Sequence, residues 1–80
     1  MKANISLSYR GTTREENATK TGWINLLLNQ HGRIISKLPL GEGRYHFVIE
    51  LEDLERFTQS LFEFTRQNPW LRVEKVSTHA

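Results

Sequence analysis

Residues 45–76 decide the fold of this chain, and they read YHFVIELEDLERFTQSLFEFTRQNPWLRVEKV. In the first part, Tyr45, Phe47, Ile49 and Leu51 occupy alternate positions, which predicts a strand with one buried face. In the second part, apolar residues recur every three or four positions, which is the period of an amphipathic helix. The last part, after an Asn-Pro pair, is again rich in residues that favour strands. The stretch therefore predicts a strand, a helix and a closing strand of a small α+β domain.

The helix of this unit is predicted from Leu54 to Gln67, because Asn68-Pro69 disfavours helical backbone beyond it. Its apolar arc spans roughly 160°, whereas packing on a sheet requires only about 100°. We therefore expect aromatic surface to remain at the helix edge, as a contact for a partner or for a second copy of the chain. The alternative is that a thin domain buries all of its aromatic residues. The candidates for exposure are Phe62, Phe64 and Trp70.

The chain before this unit begins with a strand and a polar loop. Residues 3–10 alternate between apolar and polar and predict a strand with one buried face. Residues 11–21 are polar and predict a loop, in which Thr13 and Glu16 have the capping-box spacing of one short helical turn. The inward residues of the strand are Ala3, Ile5, Leu7 and Tyr9.

Residues 22–31 fit two interpretations. As a helix, they place an apolar stripe against the core, and Gly32 caps the helix end. As a strand, they place alternate apolar residues on one face before a turn. The helical interpretation gives the order βαββαβ of ferredoxin-like domains, and the other gives ββββαβ. We favour the helix because its topology is the commoner one; its stripe consists of Trp23, Ile24, Leu27 and Leu28.

The predicted elements assemble into one α+β domain. A short strand at 33–38 and a turn at 39–43 complete the order, so a small antiparallel sheet carries one or two helices on one face. The 80 residues fit a single domain, and we expect residues 77–80 to form a frayed tail.

The composition is that of a globular protein in a reducing compartment. Hydrophobic residues make up 38% of the chain and there is no cysteine, whereas small secreted domains usually rely on disulfides. Residues 1–6 lack the apolar stretch of a signal peptide. No segment approaches the roughly 18 apolar residues of a membrane span. We therefore expect a cytoplasmic protein with no membrane partner.

Charge is unevenly distributed along the chain, although the net charge is only +2. Residues 1–44 carry seven basic and three acidic residues, which gives +4, and residues 45–80 carry four basic and six acidic residues, which gives −2. Such asymmetry steers partners without setting the fold. We expect the basic half to present a partner-binding edge composed of Arg10, Arg33, Lys37 and Arg44.

No pattern in the sequence indicates catalysis or a cofactor. His31, His46 and His79 have no second ligand at metal-binding spacing. The carboxylates between residues 50 and 55 are explained by the electrostatics of a helix start. The Gly-Glu-Gly sequence at 41–43 leads into a strand, whereas a phosphate-binding loop leads into a helix, so it predicts a hairpin turn. We therefore predict no catalytic residue, no metal, no cofactor and no enzymatic activity.

One predicted strand resembles a nucleic-acid-binding signature. Residues 43–48, GRYHFV, are similar to the aromatic signature strand of the RNA-recognition motif, and they fall on the third strand, as in that family. The resemblance spans about half of the chain in fragments, and it implies exposed aromatic side chains that stack on RNA. The alternation opposes this, because exposing Tyr45 and Phe47 would bury Glu50 without a partner at a cost of several kcal/mol. We therefore predict that these rings face the core and assign no family.

These features favour a small non-catalytic protein that acts by occupying another macromolecule. The basis is a sufficient core, a polarised surface and a sequence without a catalytic pattern. Regulators and inhibitors encoded by phages and mobile elements are often of this kind, although no motif supports that origin. The expected partner is another protein or a protein–nucleic acid complex. The alternative function is a nucleic-acid-binding module whose basic edge contacts phosphates.

Overall fold

The computed structural model describes residues 1–78, which form a four-stranded antiparallel sheet and two helices. Neighbouring strands follow the order β2-β3-β1-β4. The predicted α+β class and the βαββαβ order are confirmed, and the ββββαβ alternative is wrong because residues 22–31 are helical. The elements are β1 (Lys2–Ser8), α1 (Arg14–His31), β2 (Gly32–Gly41), β3 (Arg44–Leu51), α2 (Leu54–Gln67) and β4 (Arg72–Thr78).

Both helices cover the same face of the sheet, and the other face is open. Ile24 and Leu28 of α1 and Phe57 and Leu61 of α2 are all fully buried against the inward residues of the strands. Alternation along a strand sends every second side chain to this core, as predicted. The inward residues that are buried are Ala3, Ile5, Leu7, Tyr9, Phe47, Ile49 and Leu51, and Tyr45 is half-buried against them.

Helix α1 begins at Arg14, so the prediction of a loop over residues 11–21 is wrong for most of its length. The hydroxyl of Thr13 accepts a hydrogen bond from the backbone N–H of Glu16 at 3.0 Å, which caps the helix. The capping-box spacing therefore starts a helix of 18 residues instead of a single turn. Polar composition was misleading because the first half of α1 faces solvent and requires few apolar residues.

A tight hairpin joins β2 to β3, as the Gly-Glu-Gly sequence predicts. Gly41 and Gly43 have φ angles of +86° and +77°, a region that residues with a side chain rarely adopt. Strand β2 is longer than predicted, because it takes in part of the expected turn at 39–43.

Strand β4 begins at Arg72 and continues to Thr78, two residues later at each end than predicted. Its last two residues pair with β1. Strand structure therefore replaces the expected frayed tail at residues 77 and 78, and residues 79–80, with His79, lie outside the described part of the chain.

Candidate partner-binding site

The four basic residues predicted to form one edge lie in three different places. Arg44 begins β3 and Arg10 follows β1, so both are at the same end of the sheet. Arg33 pairs with Glu50 near the opposite end. Only Arg10 and Arg44 are therefore brought together by the fold.

Lys37 lies on the helix side of the sheet, where β2 pairs it with Phe47. Its ammonium nitrogen is 5.0 Å from the centre of the Tyr45 ring and 5.7 Å from that of Phe47. This is a cation–π arrangement over the edge of the core. Removal from water lowers the pKa of the Lys37 ammonium. Lys37 therefore does not share a surface with Arg33 or Arg44.

The open face of the sheet is polar and basic. Near its centre, Nδ1 of His46 is 3.3 Å from the hydroxyl of Ser6, and Nε2 is 3.2 Å from Oδ1 of Asn4. Tyr45 and Phe47 lie on the other face, so β3 does not present the aromatic platform that the RNA-recognition motif implies. By strand register and ion pairing, the charged residues of the open face are Lys2, Arg33, Arg44, Arg72, Lys75, Glu50 and Glu74.

Two of the three aromatic residues proposed for the helix edge pack against the core. The rings of Phe64 and Trp70 meet edge to face, with centres 5.8 Å apart. Trp70 also contacts Tyr9 at 6.2 Å, and the ammonium of Lys20 lies 5.2 Å from its ring centre. Phe62 differs, because 53% of its surface is exposed. Phe62 is therefore the member of the set that is available to a partner.

Phe62 overlooks a groove between α2 and β4. Leu54, Thr58 and Phe62 are four residues apart and form one stripe along the helix, since residues at this spacing share a face. The facing wall is β4 from Val73 to Thr78, and the groove has a volume of about 450 Å³. The floor and the helix wall are mainly apolar, and the rim carries the charged residues of β4.

The groove runs along an unpartnered strand edge. β4 is the last strand of the sheet and pairs only with β1 within residues 1–78. Backbone N–H and C=O groups along such an edge can receive an additional strand. The groove thus combines apolar side chains, an exposed ring and a row of backbone hydrogen-bonding groups.

The opposite edge, β2, is less suited to strand addition. It exposes several apolar side chains, but its pairing with β3 is irregular around Ile35 and again around Leu40. Pro39 also lacks a backbone N–H. Bulges and proline oppose edge-to-edge pairing. β2 has two register shifts and a proline, whereas β4 has one register shift, at Glu74. The exposed apolar residues of β2 are Ile35, Leu38 and Leu40.

Helix α1 also leaves apolar surface exposed. Trp23 was predicted to join the buried stripe, but 54% of its surface is exposed, and 53% of Leu26 is exposed beside it. The buried stripe consists instead of Ile24, Leu27 and Leu28. Trp23 fails to reach the core because residues 24, 27 and 28 already fill the face toward the sheet.

The sequence contained a signal for the groove that the strand prediction did not use. Val73 and Val76 both face the helix side although they are three residues apart, because the β1–β4 register shifts between them. An odd apolar spacing within a strand indicates a bulge. The same shift assigns Arg72 and Lys75 to the open face, where alternation alone would separate them.

Comparison with known proteins gives no assignment: no family model matches the chain, and no curated protein is significantly similar to it. Within residues 1–78, no group of three or more His, Asp or Glu side chains is placed to hold a metal ion. Neither α1 nor α2 combines the length and the apolar composition needed to cross a bilayer.

Proposed function

We propose that this chain is a non-catalytic binding protein that acts by occupying another protein, and that it does so through the groove between α2 and β4. An extended segment of the partner adds to the sheet as a fifth strand beside β4. The observation that carries the proposal is the half-exposed ring of Phe62 above a groove that runs along an open strand edge.

Strand addition suits the chemistry of this groove. Backbone hydrogen bonds to β4 supply affinity, and side chains at alternate positions enter the groove and supply specificity. Covering the exposed half of Phe62 contributes about 1 kcal/mol by burial alone. Aromatic side chains at the centre of an interface often contribute more than their area suggests.

A protein of this kind regulates or inhibits its partner by covering a segment that the partner's own activity requires. We propose a cytoplasmic location because the chain has no cysteine. We propose an origin in phages or mobile elements because such genomes often encode small regulators and inhibitors. The mode of action requires no cofactor.

Affinity capture with three immobilised proteins tests the proposal. The wild type is compared with Phe62→Ser and with Leu26→Ser, which removes a similarly exposed apolar side chain from α1, away from the groove. We expect Phe62→Ser to lose the captured partner and Leu26→Ser to retain it. Equal capture by the wild type and Phe62→Ser would exclude the groove as the binding site.

A second candidate function is nucleic-acid binding by the open face of the sheet. Five cationic residues and only two carboxylates lie there, a composition that favours contact with phosphates. Mobility-shift titration with single- and double-stranded RNA and DNA at low salt tests it. The absence of a shift at tens of micromolar protein would exclude this function.

A further inference from the structure

We propose that the groove between α2 and β4 selects an extended protein segment in which apolar residues alternate with Asp or Glu. This inference rests on the proposed function, because it specifies the chemistry of the segment that occupies the same groove. It follows from the way β4 divides its side chains between the two faces of the sheet.

The apolar half of the pattern comes from the helix side of β4. Val73 and Val76 pair with Leu7 and Ile5 of β1, which are core residues, so both valines face α2. Together with Phe62 on the helix they form an apolar surface beside the strand edge. Every second residue of an added strand would point toward this surface, and apolar side chains fit it best.

The acidic half of the pattern comes from the open side of β4. Arg72 and Lys75 pair with Ser8 and Ser6 of β1, whose side chains lie on the open face. The remaining residues of an added strand would lie beside these two cations. Opposite charges on adjacent strands stabilise pairing, and like charges destabilise it.

These two cations have no ion-pair partner within residues 1–78, whereas Arg44 does. Glu74, the carboxylate nearest to them in sequence, pairs with Arg44 instead: Oε2 of Glu74 is 3.4 Å from Nε of Arg44. The positive charge of Arg72 and Lys75 is therefore available to an incoming segment. Complementary charge on the segment gives selectivity, and repulsion excludes basic segments.

The test uses the full chain and three fluorescently labelled synthetic peptides in which valine alternates with glutamate, glutamine or lysine. Fluorescence anisotropy measures affinity at low and at high salt, and amide hydrogen exchange locates the bound peptide on the protein. We expect the glutamate peptide to bind about fivefold more tightly than the glutamine peptide, because two cross-strand charge pairs are gained. The lysine peptide is expected to bind most weakly. The preference should shrink at high salt, and the bound peptide should protect the β4 amides.

Charge reversal provides the matched control. Replacing both Arg72 and Lys75 by Glu should invert the preference toward the lysine peptide. Replacing Arg14 and Arg33 by Glu makes the same change in net charge on α1 and on β2, and the preference for glutamate should remain.

Different outcomes overturn this inference and the function on which it rests. Equal affinity for all three peptides, with binding abolished by Phe62→Ser, would overturn the charge selectivity and leave the proposed function standing. Failure of the glutamate peptide to bind would overturn the inference, and capture that does not depend on Phe62 would overturn the proposed function. An oligonucleotide that binds through Arg72 and Lys75, while the glutamate peptide fails to bind, would assign these cations to nucleic acid.

Discussion

Arg44 and Glu74 form an ion pair across an intervening strand: Nε of Arg44 on β3 lies 3.4 Å from Oε2 of Glu74 on β4, although β1 separates the two strands. The register between β1 and β4 explains how the two side chains meet. Ser6 pairs with Lys75 and Leu7 pairs with Val73, so Glu74 is the extra residue of a bulge and has no residue opposite it on β1. The bulge thus directs the Glu74 carboxylate inward over the sheet. Arg72 and Lys75 of β4 are therefore left without Glu74 as an ion-pair partner.

Replacing Glu74 by Gln should change stability little but alter binding. An exposed ion pair contributes about 0–1 kcal/mol, so the free energy of unfolding measured by urea denaturation should fall by no more than that. The substitution removes the carboxylate that lies between Arg72 and Lys75 in the sequence of β4, so the affinity of the glutamate peptide should rise. A loss of stability well above this range would mean that the bulge itself depends on the ion pair. An unchanged affinity would show that the charge at position 74 does not act on the added strand, and it would contradict the proposed charge selectivity.

Phe57→Ala should lower the free energy of unfolding by about 3–5 kcal/mol, because it leaves a cavity in the core. Phe57 is fully buried, and its ring meets the His31 ring edge to face at 5.7 Å. Phe62→Ala on the same helix is the control: its side chain is half exposed, so we expect a change within about 1 kcal/mol. Urea denaturation of both variants measures the difference. Similar losses for the two variants would mean that α2 buries a different face.

Gly43→Ala should destabilise the domain more than Gly41→Ala, although both glycines have positive φ angles. The left-handed backbone costs either alanine about 1–2 kcal/mol. A Cβ atom at Gly43 would lie 2.8 Å from the carbonyl oxygen of Tyr9, whereas one at Gly41 would meet nothing within 4 Å. The same turn holds a hydrogen bond of 2.8 Å from the Tyr9 N–H to the Gly43 carbonyl. Thermal unfolding of both variants measures this order, and equal midpoints would show that the hairpin shifts to accept the methyl group.

The unit from β3 to α2 could be predicted closely because its signals are local. Alternation fixes which side of β3 is buried, Asp53 caps α2, and Pro69 prevents its continuation. Helix α1 was harder to predict because the residues of its first half are nearly all polar, so no apolar face marks it as a helix. Only the capping residues Thr13 and Glu16 indicate where the helix begins.

The groove could not be predicted because it depends on pairings between distant parts of the chain. Phe62 was identified as a candidate from the width of the apolar arc, but the neighbour that makes it a site is the outer edge of β4. That edge is open only because β4 lies at the end of the sheet order, which alternation does not determine. The predicted basic edge failed for the same reason, since Lys37 and Arg33 fall on opposite faces of β2 once its register is known.

We expect Tyr9 to make the domain less stable at alkaline pH. The phenol is buried, and burial raises its pKa above the ordinary value of 10.0. Because the folded-state pKa is the higher one, the stabilisation is complete below pH 10.0 and is lost as pH rises through the folded-state value. We expect Tyr9→Phe to flatten this alkaline decline in unfolding free energy. At neutral pH, Tyr9→Phe should lower the free energy of unfolding by about 0.5–1.5 kcal/mol, since the 3.2 Å hydrogen bond to the Thr21 hydroxyl is lost. A decline of unchanged slope would assign the effect to another group.

Glu16 should make the start of α1 sensitive to acid. The ammonium of Lys20 at 2.8 Å, followed by the hydroxyl and backbone N–H of Thr12, lowers the pKa of the Glu16 carboxyl from 4.5 to about 2. A folded-state pKa below the unfolded one means that the stabilisation is present above pH 4.5 and is lost as the pH falls toward about 2. Carboxyl chemical shifts followed by NMR titration should show this late protonation directly.

Glu16→Gln should remove this part of the acid-induced loss of unfolding free energy, whereas Glu15→Gln, whose side chain makes none of these contacts, should leave it intact. Titration of Glu16 near its ordinary pKa would mean that its carboxylate does not hold the contacts with Thr12 and Lys20 at the start of α1.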